Sequence, residues 1–354
     1  MTASTTTSPS RWPVPSAEGP PGSGLAVLVN SNAKRGGRRV AVQIARMLPG
    51  ASVRLTKSAK EIDAWLATLV QTRAVLAAGG DGTAVALINA LSRVTPAGQP
   101  LPVVGVLPLG TGNGWAHSLG APKLHVCLER LAPLRGRLPT RRCGLFEVEG
   151  TLAHFAGSGW DAMILDDYRQ QLEASRGPGR HISKSIYGYL TATMLRTVPR
   201  VTIHGNPRVL IENLGDEVFT LDDRGTPHRL EGAGLGTVLY DGPFGVASVG
   251  TCTEFGYRFR AFPFAERMPG FFNARIYDRS AAGAVASIPR LWKGQHPLRG
   301  MADWFATGIR MTFSRESALQ IGGDACGMRR SVEYRIADRW VSMVDWRRLQ
   351  CLAA

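Results

Sequence analysis

The sequence predicts a fold of two domains: an N-terminal parallel α/β domain, and a C-terminal domain that is mainly antiparallel and β-sandwich-like. From Leu25 to about Leu119, short apolar runs alternate with amphipathic helical stretches, which is the pattern of a parallel sheet with crossover helices. After Cys143, strand-like runs predominate. A chain of 354 residues is also long enough for two domains with separate cores.

The N-terminal domain is predicted from consecutive strand and helix units. A helix from Arg38 to Leu48 follows the first strand, and Ser58 and Glu61 have capping-box spacing at the start of the next helix. Because loops at the carboxyl ends of parallel strands lie at one edge of the sheet, we expect them to converge on one crevice. The apolar runs that form the strands are Ala26–Val29, Val53–Thr56, Ala74–Ala78 and Val103–Leu107.

The C-terminal domain is predicted to be β-rich with one helix. Residues 145–155 indicate two strands about a turn at Glu149 and Gly150, and a helix is expected at Ser185–Arg196. In residues 331–344, apolar and polar residues alternate again as in strands. The sequence leaves open which of the two domains these strands complete. We therefore divide the chain into a disordered tail (1–24), an α/β domain (25–143, with about 330–354 if the last strands return to it) and a β-rich domain (144–329). Further strand-like runs are 200–204, 208–212, 236–240 and 245–249.

The composition favours anionic partners and a reducing compartment. The formal charge is +15, from 42 basic and 27 acidic residues, and the five cysteines include no C-x-x-C pair. No apolar stretch reaches the roughly 18 residues that span a bilayer, and the first 24 residues lack the apolar run of a signal peptide. We expect a cytoplasmic protein with peripheral membrane contact only. No RNA-binding aromatic motif accompanies the basic residues, so no nucleic-acid partner is expected.

The most informative motif is Gly79-Gly80-Asp81-Gly82-Thr83, which follows a buried strand and opens a helix. Glycines let the backbone approach a ligand closely, so amide groups at the helix start can point at oxyanions. A carboxylate among such amides fits a site that holds a divalent cation or takes a proton from an attacking hydroxyl. By itself the motif is also compatible with an ordinary strand-to-helix turn.

A second glycine-rich turn, Gly110-Thr111-Gly112-Asn113, follows the fourth strand. Its hydroxyl and amide side chains could contact phosphate or a substrate hydroxyl. Neither loop fits the dinucleotide fingerprint G-x-G-x-x-G or the Walker pattern G-x-x-x-x-G-K-[ST], so two standard nucleotide-binding folds lose support.

Together the motifs resemble the catalytic domain of the diacylglycerol kinase family, which includes soluble bacterial lipid kinases and the sphingosine and ceramide kinases. The segment V-N-S-N around Asn30 precedes the two glycine loops in the family's order. Gly157–Ala162 is similar to the family's G-x-G-[FW]-D-A segment, and Leu319–Asp324 to its late acidic segment. The likeness covers about residues 25–345.

The resemblance implies a lipid kinase with its active site in the cleft between the domains. It implies ATP and Mg²⁺ as cofactors and a diacylglycerol- or sphingosine-type lipid alcohol as acceptor, presented at an anionic membrane surface in phospholipid metabolism. The identity of the lipid, and whether the protein is a monomer or a homodimer, stay open. The implied ATP-binding residues are Asn30, Thr56, Gly79, Gly80, Asp81, Gly82, Thr83, Gly110, Thr111, Gly112 and Asn113.

Three carboxylates have implied roles in the chemistry. By family analogy, Asp324 is the general base that receives the proton of the lipid hydroxyl. A competing view from the sphingosine kinase branch gives that role to Asp81, which otherwise holds metal or orients the acceptor. Asp161 is the candidate for binding the acceptor headgroup, with a structural role equally open.

Two positions depart from the family pattern. Many bacterial relatives have Asp where this chain has Gly114, and Pro269 replaces an Asp of the family's P-x-A-x-x-D-G segment. These changes put a second, structural Mg²⁺ site in doubt, and they leave open whether Mg²⁺ binding or activity is weaker.

Two alternatives remain at this point. One is a kinase of NAD or a sugar phosphate, since such kinases share the G-G-D-G-T turn. The other is a catalytically silent regulator that binds nucleotide or lipid, for which Gly114 and Pro269 are the best arguments.

Overall fold

The computed structural model describes two compact units. The first comprises residues up to 110 together with 119–142 and 339 onward, and the second comprises 111–118 and 143–338. Residues 111–118, which lie within the range expected for the α/β domain (25–143), are in the second unit. The described residues are 23–33, 37–58, 60–69, 72–110, 112–134, 138–160, 162–163, 205–256 and 258–352.

The first unit is built on a sheet of six strands in the order β2-β1-β3-β4-β18-β5. The pairings among β1, β2, β3 and β4 are parallel, and β18 pairs parallel to β4. Its strands are β1 (Leu25–Asn30), β2 (Ser52–Thr56), β3 (Ala74–Gly79), β4 (Val103–Pro108), β5 (Thr140–Cys143) and β18 (Val341–Val344). Its helices are α1 (Arg38–Met47), α2 (Lys60–Ala67), α3 (Asp81–Val94), α5 (Leu124–Leu131) and α7 (Trp346–Leu352).

The core of this unit lies on the central strands. Every residue of β3 is buried, which is typical of a parallel strand covered on both faces. Helix α3 buries residues such as Leu87, Ile88 and Leu91 at helical spacing. The strand order reverses between β1 and β3, because β2 lies on one side of β1 and β3 and β4 lie on the other. Open α/β sheets bind ligands at such a reversal, so the topology directs attention to the loops after β1 and β3.

The second unit is a sheet of 12 strands that pair antiparallel throughout, with the main path β11-β10-β15-β14-β13-β8-β16-β17-β6-β7 and with β9 pairing β12 and β16. Its helices are α4 (Gly114–Ser118) and α6 (Ala281–Trp292), and a 3-10 turn lies at Ala265–Arg267. Its strands are β6 (Phe146–Val148), β7 (Thr151–Ala153), β8 (Phe155–Gly159), β9 (Arg208–Asn213), β10 (Phe219–Leu221), β11 (Pro227–Arg229), β12 (Val238–Pro243), β13 (Val246–Gly250), β14 (Phe272–Tyr277), β15 (Met301–Ala306), β16 (Gly308–Ile321) and β17 (Asp324–Ile336).

The predicted fold class is confirmed: one unit is a parallel α/β sheet and the other is an antiparallel β-rich sheet. The hairpin predicted at Glu149 and Gly150 joins β6 to β7, and both turn residues have positive φ (49° and 70°), as a two-residue hairpin turn requires. The predicted helix at Ser185–Arg196, the tail before residue 23 and the run at 200–204 lie outside the described residues.

Aromatic packing and one buried ion pair organise the interior of the second unit. The Phe146 ring packs edge-on against Phe272 (6.0 Å between centroids) and Tyr334 (5.8 Å). Arg275 on β14 lies directly opposite Asp303 on β15, and both are almost fully buried (6% and 4% exposed). Such pairing is what allows two charges to lie inside an apolar core.

Among the helices that the structure describes, none has the length and apolar character needed to cross a membrane.

Candidate functional site

The predicted site residues of the first unit lie at the carboxyl ends of neighbouring strands. Asn30 and Thr56 end β1 and β2 and are paired in register, and the amide of Ser31 donates to the carbonyl of Thr56 (3.0 Å). Gly79 ends β3 and is paired in register with Pro108 at the end of β4. The four strand ends therefore form one edge of the sheet, as the sequence pattern predicts.

Asn30 connects the loop after β1 to the first turn of α3. Its side-chain amide nitrogen donates to the Thr83 hydroxyl (2.8 Å), and its side-chain oxygen accepts from the backbone amide of Asn32 (2.8 Å). Asn32 in turn donates to the carbonyl of Lys57 in the loop after β2 (3.1 Å). Hydrogen bonds of Asn30 and Asn32 thus join the loops after β1 and β2 to the start of α3, across the point where the strand order reverses.

The glycines of the first loop are required by close packing. A Cβ at Gly79 would lie 2.2 Å from the Thr83 hydroxyl oxygen, so only glycine leaves room for that side chain. The Gly79 carbonyl accepts from the amides of Leu109 (3.0 Å) and Gly110 (3.1 Å), which holds the second loop beside the first. A Cβ at Gly80 would lie 3.4 Å from the Cα of Gly110. The two glycine-rich loops therefore meet without any side chain between them at this point.

Helix α3 begins at Asp81 with Gly80 as its N-cap, and no side chain caps it. An α-helix leaves its first amide groups without intrahelical acceptors, and its dipole makes this end positive. An oxyanion such as a phosphate is the complementary ligand. Asp81 lies in this first turn and is half-buried, so a carboxylate is present where an anion would bind. A divalent cation between the carboxylate and a phosphate would reconcile the two negative groups.

Thr56 has a local structural role as well as its predicted contact with ATP. The side chain is buried (5% exposed), and its hydroxyl donates to the carbonyl of Ser58 (2.7 Å) and lies 3.1 Å from the Glu61 carboxylate. These bonds shape the turn between β2 and α2. Its contact with ATP remains a prediction.

The second glycine loop continues into the second unit, where the short helix α4 begins at Gly114. A Cβ at Gly114 would lie 2.7 Å from the backbone nitrogen of Gly256 and 2.9 Å from the carbonyl carbon of Phe255. Both are backbone atoms and cannot rotate away. The departure from the family's Asp thus has a packing reason, since residues 254–256 occupy the space of any side chain at this position.

We expect Gly114→Ala to lower the free energy of unfolding by about 1–3 kcal/mol, the usual cost of overpacking. The matched control is Gly234→Ala, because a Cβ there meets nothing within 4 Å. The control should stay within about 0.5 kcal/mol of wild type in urea denaturation. If the two variants are equally stable, the backbone at 254–256 can move to accommodate a side chain at position 114, and the overpacking prediction is wrong.

Helix α4 is anchored by a ring stack that sequence reasoning missed. The indole of Trp115 stacks on the imidazole of His154 with centroids 4.0 Å apart and 13° between planes, and Phe155 packs edge-on against His154 at 4.6 Å. Both members of the stack are buried. Neither ring nitrogen of His154 has a hydrogen-bond partner within the described part of the chain. Burial lowers the pKa of His154 to about 3, so the ring is neutral in the folded protein at neutral pH.

Because His154 is buried in its neutral form, we expect the protein to lose stability in acid. In the unfolded chain this histidine has its ordinary pKa of about 6.5, so the unfolded state binds more protons than the folded state between about pH 6.5 and pH 3. The free energy of unfolding should be fully retained above that window, and this group should reduce it by up to about 1.4 kcal/mol per pH unit as the pH falls through it. In urea denaturation at pH 7 and pH 5, His154→Phe should reduce the pH dependence. The exposed control His125→Gln should leave it unchanged, and an unaltered pH dependence in His154→Phe would contradict the assignment.

A second contact joins α4 to the segment that packs on Gly114. The Nδ1 of His117 lies 3.8 Å from a carboxylate oxygen of Glu254. Burial, and secondarily the nearby Arg258 cation, lower the pKa of His117. Close to neutral pH the pair is therefore a polar contact and not a full ion pair. The His117 side chain is half-buried.

Asp324 lies in the second unit, as the first residue of β17. Ile321 and Asp324 are paired in register around Gly322 and Gly323, whose φ values are 58° and 89°. A two-residue hairpin turn of this kind needs positive φ at both central positions, which explains the two glycines before the aspartate. The buried Gln320 accepts from the Gly323 amide (3.0 Å) and fixes the turn. Asp324 itself is exposed, so its carboxylate is accessible to a ligand.

Several contacts of the site had no signal in the sequence. The Trp115 and His154 stack joins residues far apart in the chain, and the Glu254 contact depends on how the strands of the second unit fold. Asn32 was part of the quoted motif but had no predicted role. Thr111 and Asp161, both predicted site residues, lie outside the described residues.

Comparison with known proteins agrees with the motif analysis. Residues 24–137 match the model of the diacylglycerol kinase catalytic domain. A stretch of 46 residues, 13% of this chain, is 56% identical to the eye-specific diacylglycerol kinase of Drosophila melanogaster, but it spans only 3% of that protein. The fold is similar to a crystal structure of a diacylglycerol kinase from Bacillus anthracis strain Sterne, with a TM-score of 0.56 and 14% identity over 90% of this chain and 96% of that one.

The family match falls mainly on the first unit, where Asn30, the strand ends and the first glycine loop come together. At 14% identity, the structural likeness concerns the fold alone, over 90% of this chain. The predicted resemblance is thereby confirmed for residues 24–137, which match the diacylglycerol kinase catalytic-domain model.

Proposed function

We propose that this protein is an ATP-dependent lipid kinase that transfers the γ-phosphoryl group to a hydroxyl of a diacylglycerol- or sphingosine-type lipid. The observation that carries the proposal is the edge of the first sheet. There, Asn30 bonds to Thr83 and the two glycine loops meet beside the start of α3. This edge lies within the segment that matches the kinase domain model.

The glycine loops fit the phosphates of ATP. Phosphoryl transfer depends mostly on positioning and on neutralising charge, and helix amides together with a close-lying glycine backbone supply both. A side chain at Gly79 would displace Thr83, and with it the hydrogen bond from Asn30. The same residues thus shape the loop and fix its position against the loop after β1.

Asp81 fits Mg²⁺ held jointly with the phosphates. Magnesium commonly uses one or two carboxylates and completes its shell with phosphate oxygens and water. In the part of the chain that the structure describes, no group of three or more His, Cys, Asp or Glu side chains could hold a metal. Asp81 would therefore act with bound nucleotide and not as part of an independent protein cage. The cation supplies charge neutralisation on the transferring phosphoryl group.

Asp324 is our choice for the group that accepts the proton of the lipid hydroxyl. A general base needs an accessible carboxylate in a defined position. Asp324 is exposed and follows a glycine hairpin turn that the Gln320 side chain holds through the Gly323 amide. Asp161 is proposed to orient the acceptor headgroup by family analogy. The lipid is presented at an anionic membrane surface, which suits a chain of net charge +15.

The test is a mass-spectrometric screen for phosphorylated products after incubation of the full chain with ATP, Mg²⁺ and a total lipid extract. Diacylglycerol, monoacylglycerol and sphingosine in mixed micelles then identify the acceptor, while NAD and sugar phosphates test the other kinase classes. We expect a phosphorylated lipid and ADP in equal amounts. Nucleotide binding without any phosphorylated lipid would instead identify a silent regulator, and a product from NAD would move the protein to that kinase class.

A further inference from the structure

A surface rich in arginine and lysine lies on the second unit. It comprises residues 255–256, 258–265 and 279–302, whose own sequence contains no Asp or Glu. Asp222 and Asp278 contact this surface through His296 and the Gly300 carbonyl. Its exposed cations are Arg258, Arg260, Arg290, Lys293 and Arg299. We call these five side chains the basic surface.

Backbone and ring contacts hold the two segments together. The amide of Arg260 donates to the carbonyl of Trp292 at the end of α6 (3.2 Å), and the rings of Phe259 and Trp292 lie 5.4 Å apart. A Cβ at Gly294 would lie 2.9 Å from the Cβ of Pro263 and 3.0 Å from that of Arg260. The two segments are therefore in contact around Trp292 and Gly294, although they are separated in the chain.

The cations of the basic surface differ from other arginines of the same unit. Arg208, Arg310 and Arg329 each pair with a carboxylate. Within the described residues, none of the five cations of the basic surface has an ion-pair partner, whereas Arg279 nearby pairs with Asp278 (3.9 Å) and is not counted among them. Like charges without ion-pair partners oppose one another, so the arrangement favours an anionic partner.

Apolar and aromatic groups accompany these charges. Ile288, Leu291 and Trp292 on α6 are half-buried, and Pro289 is exposed. Helices that lie in the plane of a membrane combine basic residues with apolar and aromatic ones, and tryptophan favours the headgroup level. A binding surface for nucleic acid would instead be expected to offer ring faces with groups that read base edges.

We propose that the basic surface, with the adjoining side chains of α6, docks the protein onto an anionic lipid bilayer. The inference builds on the proposed lipid kinase function, since it names the surface by which such an enzyme would reach its acceptor. Binding can still be measured without ATP or acceptor. A failure of docking is therefore distinguishable from a failure of the proposed activity.

The test compares wild type with Arg290→Glu/Lys293→Glu in sedimentation with phosphatidylcholine vesicles, with and without phosphatidylserine. Each basic side chain near an anionic surface contributes roughly fivefold in binding, so the double variant should bind the anionic vesicles at least about 30-fold more weakly. Wild-type binding should weaken with salt and be small on pure phosphatidylcholine. Neither residue belongs to the proposed nucleotide or acceptor site, so phosphorylation of a short-chain, water-soluble diacylglycerol should be unchanged.

The matched control is Arg46→Glu/Arg54→Glu, which makes the same change in net charge at two exposed positions of the first unit. We expect it to retain most of the vesicle binding. Equal loss in both double variants would show that net charge alone drives binding and would overturn the proposal. Unchanged vesicle binding of Arg290→Glu/Lys293→Glu would also overturn it. The same holds if the wild type binds an RNA homopolymer more tightly than the anionic vesicles and Arg290→Glu/Lys293→Glu loses that RNA binding.

Discussion

Replacing Asp303 by alanine is expected to lower the free energy of unfolding by about 3–5 kcal/mol. The carboxylate accepts from Arg275 at both oxygens (2.8 and 3.1 Å) and from the Asn273 side chain (3.1 Å). The Arg275 guanidinium also donates to the carbonyl of Ala261 (2.5 Å), so the pair ties two strands to a loop. Without Asp303, a buried cation would remain with no counter-charge.

An exposed pair of the same geometry provides the control. Arg93 contacts Asp63 through two hydrogen bonds of 2.9 and 3.1 Å, but the two side chains are 55% and 43% exposed. Because water screens such pairs, Asp63→Ala should cost less than about 1 kcal/mol. Urea or thermal denaturation of both variants measures the difference. A similar decrease in the free energy of unfolding at the two sites would show that burial does not determine how much the Arg275–Asp303 pair contributes to stability.

A double replacement distinguishes two quantities: the net contribution of the ion pair to the free energy of unfolding, and the loss of stability when only one partner is removed. Arg275→Met/Asp303→Leu removes both charges and keeps apolar volume, and changes of this kind are often neutral or stabilising by about 1–4 kcal/mol. We expect the double variant to recover most of the stability lost in Asp303→Ala. The pair then serves to fix the register of β14 against β15, where Arg275 lies opposite Asp303. A double variant as unstable as the single one would mean that the network as a whole stabilises the fold.

The loops of the first unit could be predicted because their signals are local. Each apolar run is followed directly by its loop, and parallel strands bring such loops to one edge, so Asn30, Gly79 and Gly110 were identified together from sequence. The hairpin at Glu149 and Gly150 had an equally local signal, since Gly150 readily adopts the positive φ that such a turn needs.

Other features depend on contacts between distant parts of the chain. The last strand, β18, alternates as any strand does, and only pairing decides that it lies beside β4. Helix α6 was not predicted, because Gly283 and Pro289 interrupt a sequence of mainly small residues and weaken its helical signal. The stack of His154 on Trp115 joins β-strand and helix segments that no periodicity relates. Strand register decides which residues hydrogen-bond to a buried polar side chain, and the sequence pattern does not determine that register.

The roles proposed for Asp324 and Asp81 predict different kinetic defects. Removing a general base typically costs about 10²–10⁴-fold in turnover and leaves nucleotide binding intact. Asp324→Asn should therefore lower kcat strongly, with the Kd for ATP almost unchanged, and should remove the acid limb of the pH–rate profile. Asp81→Asn should instead weaken ATP binding in the presence of Mg²⁺ and raise the Mg²⁺ concentration needed for half-maximal activity, because a carboxylate at the start of α3 is tolerated beside phosphates only with a cation.

Asp338→Asn is the matched control, as an exposed aspartate of the same unit as Asp324 with no role in the proposed site. It should leave kcat, the pH profile and the Mg²⁺ dependence at their wild-type values. If Asp81→Asn loses the acid limb while Asp324→Asn keeps it, the base is Asp81 and the exposed aspartate after the Gly322-Gly323 turn belongs to the hairpin alone. Full activity in both variants would exclude either carboxylate from the proton transfer, and the proposed chemistry with it. The measurement therefore decides whether the acidic group of the glycine loop acts on the metal or on the hydroxyl.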